Sequence, residues 1–191
     1  MPRFADYHRT IVGYHGSRRS TALRIVQGLE GYRRSENADD WLGHGVYFWE
    51  YAPKQAWSWA ERRRELQGWG EEVAVLASMI RLGNCFDLLD PDNLGVLSGF
   101  RVEYEKLERK IGSSPKVNRN KSKYLDCAVF QFAYAAFDDR DEPVDSCRAV
   151  FVPSNQRLWS RSGVYRNAHI QLCVRNPDCI LGTWLVKPLQ D

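Results

Sequence analysis

Apolar positions along the chain recur at two different spacings. Thr10 to Tyr14 is short, β-branched and aromatic and runs into His15-Gly16, which predicts a strand closing into a turn. Over Ser17 to Leu29 the spacing changes: Ala22, Ile25, Val26 and Leu29 share one helical face, and Gly28 or Gly31 offers a stop. The polar stretch from Arg33 to Asp40 reads as a loop, and Val46-Tyr47-Phe48-Trp49 as a second short strand. Pro53 suits the first turn of a helix carrying Ala56, Trp57, Ala60 and the triplet Arg62-Arg63-Arg64.

Val73 to Ile80 alternates as a strand, which Gly83 ends. Leu94, Leu97, Val102, Tyr104 and Leu107 then give helical spacing from Pro91 to Ile111, weakened at its start by Gly95 and Gly99. A basic loop from Gly112 to Lys123 leads into a helix from Tyr124 to Ala136. The last third is β-rich, with strands expected at Arg148 to Val152, Ala168 to Val174 and Ile180 to Val186, and Asn176-Pro177 marking the turn between the last two.

Helices and strands are therefore mixed without the regular alternation of a doubly wound sheet, and no Gly-x-Gly-x-x-Gly follows a strand. An α+β domain over residues 1–191 is expected, with two packed, mainly antiparallel sheets and flanking helices. A chain 43% hydrophobic can bury a substantial core at this length. It has no apolar run of membrane-spanning length, and its polar start, Met1 to Asp6, has no signal-peptide character, so a cytoplasmic protein without a membrane partner is expected. Five scattered cysteines and four dispersed histidines argue for reduced thiols and against a metal site.

The net charge of +3 is mild, but the cations cluster at Arg18-Arg19, Arg33-Arg34, Arg62-Arg63-Arg64 and Lys116 to Lys123. Such clusters either solvate a surface or attract a diphosphate or polyanion.

Two segments carry the candidate chemistry: Tyr14-His15-Gly16-Ser17, and, one helix and a loop later, Gly43-His44-Gly45-Val46-Tyr47-Phe48-Trp49-Glu50. In this order they resemble the first two active-site segments of the ADP-ribosyltransferase superfamily, which includes diphtheria-like toxins and poly(ADP-ribose) polymerases. The resemblance implies a split β-sandwich fold and NAD⁺ as a co-substrate to be cleaved. It gives His15 a hydrogen bond to the adenosine ribose, the Gly16 backbone a grip on the nicotinamide carboxamide, and Tyr47 the stacking face, with Ser17 also counted among the cofactor-binding residues. Gly45 allows close approach to the ligand.

Lys54 and Ala56 keep a spacing of the polymerase branch. That branch's second stacking tyrosine falls at Ser58, so Trp57 or Trp59 is the expected replacement. Arg33 or Arg34 is placed to meet the pyrophosphate.

One element departs from the pattern. The family's glutamate on a C-terminal strand is replaced by Gln171 in Ala168-His169-Ile170-Gln171-Leu172-Cys173-Val174. An amide oxygen still accepts a ribose hydroxyl, without the charge that makes such a bond roughly twice as strong. Losing a preorganised contact of this kind costs roughly 10²–10³ in rate. This argues against polymer elongation and for a single transfer to a specialised acceptor: RNA, DNA or protein, with nucleic acid favoured by arginines interleaved with Tyr and Trp. Water as acceptor would make a glycohydrolase, and a catalytically dead NAD⁺-binding module is the third reading.

Glu50, Asp40, Asp126 and His169 are the candidate bases. Together with Trp41-Leu42-Gly43, Leu82 to Leu88 and Val174 to Gly182, the chain is similar to small stand-alone bacterial members of the superfamily. Those are often toxins held by an antitoxin protein or deployed in phage defence.

Overall fold

In the computed structural model, which describes residues 9–153 and 156–187, the chain forms an α+β fold around one mixed sheet. The polar start at residues 1–6 lies outside the described residues. Seven strands, β1 (Thr10–Arg18), β2 (Val46–Glu50), β3 (Val73–Arg81), β4 (Cys85–Asp87), β5 (Ser146–Phe151), β6 (His169–Val174) and β7 (Ile180–Val186), lie in the order β4-β5-β6-β2-β1-β3-β7. Four helices accompany them: α1 (Arg19–Val26), α2 (Pro53–Gln67), α3 (Pro91–Lys110) and α4 (Tyr124–Asp138). Only β4 and β5 pair in parallel; the other ladders are antiparallel.

The two expected sheets are thus joined as one, but the join is narrow. β1 and β3 keep register over nine residue pairs, whereas β1 meets β2 at only two, Gly13 with Glu50 and Tyr14 with Trp49. Gly13 is what lets them meet, because a Cβ there would lie 2.9 Å from Cβ of Phe48. Past Tyr14 the two strands part.

Strand alternation sends the two faces to different partners. Ile11, Val46, Phe48, Ile80, Leu172 and Val174 fill the core on one face, and α1 packs there on Ala74 and Leu76 through Ala22. The opposite face receives α2, whose Ala56 packs with Trp49 and Val75, and α4, whose Phe130 and Tyr134 cover Cys147, Ala149 and Cys173. α3 lies on α4 through Phe100 and Tyr104.

The helix ends follow local chemistry. Pro53 opens α2, and Gly68, in the left-handed region at φ 62°, closes it. Asp90 caps α3 by accepting from the Asp92 backbone N–H at 2.9 Å. Gly95 and Gly99 sit inside α3 at no steric penalty, since a Cβ on either would meet open space. The junction of β1 and α1 differs most from the sequence reading. β1 continues through His15-Gly16 to Arg18, because β3 supplies ladder partners as far as Val73, and α1 is shortened to start at Arg19. No helix among the described residues is long and apolar enough to cross a membrane.

Candidate functional site

The parting of β1 and β2 opens a cleft of about 790 Å³, within the usual range of small-molecule and cofactor sites. His15 stands at the point of divergence. Its Nδ1 donates to the Tyr47 carbonyl at 2.8 Å, so a side chain replaces the ladder bond the backbones no longer make. That bond fixes the Nδ1–H tautomer and leaves Nε2 as the ring's remaining acceptor. Tyr32 packs edge-on against the imidazole at 5.2 Å between centroids, and Phe48 and Trp59 flank it at 5.7 and 6.5 Å. Burial lowers the His15 pKa, and the bond to Tyr47 offsets this only in part, so the ring stays neutral near pH 7.

The segment from Trp41 to Tyr47 forms the adjoining wall. Gly43 has φ 77°, and a Cβ there would meet Tyr134 Cε2 at 2.7 Å, so only glycine satisfies both backbone and space. A Cβ on Gly45 would lie 2.4 Å from Cys173 Sγ. The Tyr47 phenol donates to the Gly43 carbonyl at 2.7 Å and accepts from the Leu42 N–H at 3.0 Å, tying its own turn together. Burial pushes the phenol far up and keeps it protonated. From α4, Tyr134 donates to the Leu42 carbonyl at 2.7 Å and the Gln131 side-chain oxygen accepts from the His44 N–H at 3.0 Å.

Beside Tyr47, in register with Trp49, β6 presents Gln171. Its Oε1 accepts from the Trp41 indole N–H at 2.6 Å, and its Nε2 lies 3.3 Å from His169 Nε2. Trp49 also donates to His169 Nε2, at 3.2 Å. Trp41 and Phe151, 5.0 Å apart, extend the aromatic lining on that side.

Charge is unevenly committed around the rim. Arg33, Arg34 and Arg63 line the cleft with Glu36, Asp39 and Asp40. Asp40 organises its own loop, accepting from Ser35 Oγ at 2.9 Å and the Asn37 N–H at 2.9 Å, while Glu36 lies 3.9 Å from Arg34. Arg33 and Arg63 have no ion-pair partner among the described residues; Arg63 stacks over Trp59 at 5.1 Å. Both remain available to an anion.

Of the residues singled out from sequence, His15, Arg33, Gly45, Tyr47 and Gln171 line this one cleft. Gly16, Ser17 and Trp57 are not among its lining residues. Gly16 faces α2, where a Cβ would lie 2.1 Å from the Ala56 carbonyl oxygen: the glycine serves helix–strand contact. Ser17 is buried opposite Ala74. Trp57 and Trp59 point about 200° apart around a helix of 3.6 residues per turn, and the flank facing the cleft is that of Trp59.

The candidate bases fare less well. Glu50 is 6% exposed and gripped by Arg148 through two bonds, of 2.5 and 2.7 Å, and Arg148 also reaches Asp87 at 3.0 Å. Asp126 belongs to α4, where it accepts from Asn118 at 2.7 Å, and is not a lining residue. With Asp40 and His169 engaged as described, His15 Nε2 is the acceptor left at the seam.

Trp41, Trp49, Arg63 and Phe151 are lining residues to which the sequence reading gave no ligand role. Arg63 was findable, standing four residues after Trp59 and so on the same flank of α2. Phe151 reaches the cleft only through the β5–β6 ladder, which brings it opposite His169. Among the described residues no group of three His, Cys, Asp or Glu could hold a metal ion. The buried thiols are also poorly suited to nucleophilic work, since burial pushes Cys173 up to about 12. No protein-family model, curated protein or solved structure matches this chain.

Proposed function

We propose that the protein is an NAD⁺-dependent mono-ADP-ribosyltransferase. The observation that carries this reading is the gathering of His15, Tyr47 and Gln171 around one cleft at the parting of β1 and β2. In it, the Tyr47 ring and the neighbouring tryptophans hold the pyridinium ring, and Gln171 and the open Nε2 of His15 bind ribose hydroxyls. Arg33 and Arg63 neutralise the diphosphate. Such a site accelerates cleavage by fixing the nicotinamide ring while positive charge develops at the anomeric carbon beside aromatic faces. The two-pair seam also supports viewing the sheet as two half-sheets, as the resemblance implies.

A nucleic-acid acceptor is the favoured class. Gln55, Trp59, Arg62 and Leu66 follow one another at i, i+4, i+7 and i+11 along α2, with Arg63 on one side of them and Glu65, three residues after Arg62, on the other, while Glu61 pairs with Arg64 at 2.7 Å. This stripe of stacking and basic side chains adjoins the cleft through Trp59 and Arg63. Stacking with phosphate neutralisation suits a single strand.

The committed state of Gln171 Oε1, bonded to Trp41, favours a second reading: an NAD⁺-binding module that turns over slowly or not at all. Incubation with NAD⁺ labelled on the adenylate half, followed by separate fractionation of whole-cell RNA, DNA and protein, distinguishes them. Label on a macromolecule supports the transferase, and label on nucleic acid supports the favoured acceptor. Free ADP-ribose alone identifies a glycohydrolase; intact NAD⁺ throughout overturns both activities. An inhibitory antitoxin partner and a role in phage defence belong to the same proposal and are tested by co-expression.

A further inference from the structure

Gln171 does not stand alone on β6. His169 lies two residues away on the same face, and its two ring nitrogens have different neighbours. Nδ1 is 2.6 Å from the carbonyl oxygen of Asn167, which can only accept, so Nδ1 carries the proton. Nε2 is approached by two donors, the Trp49 indole N–H at 3.2 Å and the Gln171 amide nitrogen at 3.3 Å, so it must carry a lone pair. The network is self-consistent only for a neutral imidazole. Asn167 holds the left-handed backbone conformation, φ 59°, at the residue whose carbonyl receives the Nδ1 proton.

The Gln171 amide is oriented as a result. With Nε2 drawn to His169, Oε1 is turned to Trp41, which donates to it at 2.6 Å. The reverse orientation would set the amide oxygen against the His169 lone pair and the amide N–H against the indole N–H. One amide hydrogen and one lone pair of Oε1 are left for a ligand, a donor and an acceptor side by side. A glutamate at this position would face the His169 lone pair with a second acceptor, so this surrounding is built for an amide.

We propose that His169 is a positioning residue for Gln171, holding its amide in a single orientation only while the imidazole is neutral, so that ligand recognition by Gln171 is switched off by acid. The proposal rests on the reading of Gln171 as the group that meets the ribose. Protonation at Nε2 would place an N–H against two N–H donors, and both would have to turn away. Among the described residues, the groups facing the ring are Trp49 from β2, Gln171 from β6, Phe151 from β5 and the Asn167 carbonyl, and none of these carries a charge to hold an imidazolium. Burial lowers the His169 pKa in the same sense.

The test is nitrogen-15 NMR of the full chain over pH 5 to 7.5. At the upper end His169 is expected as the Nδ1–H tautomer. As the pH falls, the Trp41 and Trp49 indole N–H signals are expected to shift with the midpoint of His169. In His169→Gln, whose side-chain oxygen accepts from the same donors without titrating, both indole signals are expected to lose that dependence. NAD⁺ consumption by the unmodified chain is expected to fall with the same midpoint, and the variant to lose that inflection.

An Nε2–H tautomer, or a Trp41 signal indifferent to the titration of His169, would overturn the proposal. So would turnover that ignores the midpoint. NAD⁺ left untouched at every pH while the indole signals still follow His169 would overturn the transferase reading instead, and leave the positioning role standing.

Discussion

The imidazole of His15 donates to the backbone carbonyl of Tyr47 at the level where β1 and β2 cease to pair. One side chain therefore both closes the seam and presents an acceptor to the cleft. The two tasks can be separated. His15→Asn can keep a donor near the position of Nδ1 while removing Nε2. It is expected to unfold within about 1 kcal/mol of the parent chain, as for one retained hydrogen bond, and to bind NAD⁺ at least about tenfold more weakly, the equivalent of about 1.4 kcal/mol. His15→Ala should lose both. Thermal denaturation and calorimetric titration on the same samples read the two effects.

Tyr47 offers a second separation. Its phenol serves the Leu42-Gly43 turn, whereas its ring lines the cleft. Tyr47→Phe leaves the buried Leu42 N–H without a partner and the Gly43 carbonyl with only the Cys173 thiol at 3.6 Å, and is expected to cost about 1–3 kcal/mol in stability while retaining NAD⁺ binding. Tyr47→Ala should eliminate binding and turnover. Full turnover by Tyr47→Ala would show that the ring has no part in the chemistry.

Trp59 and Trp57 form a matched pair, two residues apart on α2 and equally exposed at 38%. Trp59→Ala is expected to weaken NAD⁺ binding by about 0.5–1.5 kcal/mol, the scale of an aromatic pair contact. Trp57→Ala should leave affinity unchanged. Equal losses from both, measured by titration, would remove α2 from the site.

Acidity should weaken the fold through two histidines. His15 and His169 both have a folded pKa depressed by burial below the ordinary 6.5, so the unfolded chain binds their protons more readily. Their contribution is complete above about 6.5 and is lost as the pH falls through the folded values. Each adds at most about 1.4 kcal/mol per pH unit. Urea midpoints from pH 7.5 to 5 should therefore decline, and less steeply in His15→Asn and His169→Gln.

Gly45→Ala tests the fit of the second motif strand. The added methyl would meet Cys173 Sγ and, at 2.8 Å, the Val174 carbonyl oxygen. A loss of about 1–3 kcal/mol is expected, or roughly 2–4 °C of Tm for each kcal/mol at this size. Adding Cys173→Ala should recover part of it, since only the sulfur contact is relieved.

What was legible in the sequence was local. Pro53 and the alanines of α2, the β-branched runs and the Asn176-Pro177 turn each encode their element within a few residues. β4 escaped notice because three residues carry no period, and its partner β5 lies across α3 and α4 in sequence. β1 outran its expected end because the glycine that looks like a turn is held extended by β3 and pressed on α2. The candidate site was legible in the same measure. His15, Tyr47 and Gln171 stand out by residue type and order, yet the Trp41–Gln171–His169 chain joins positions 130 apart and emerges only once β6 pairs with β2. Glu50 looked like a candidate base until its salt bridge to Arg148, 98 residues on, was visible.

The contact of Gly16 with the Ala56 carbonyl has a mechanical consequence. Main chain rests on main chain there, with no side chain between to yield, so strand and helix behave as a fixed jaw bearing Trp59. The rim segment at residues 35–40 is pinned to the sheet at one end by the Ser35–Gly45 bridge and braced between by the carboxylate of Asp40 and exchangeable side-chain bonds. Accommodation of an incoming molecule therefore falls to that braced turn, and the spacing between anvil and clamp is set from one side only.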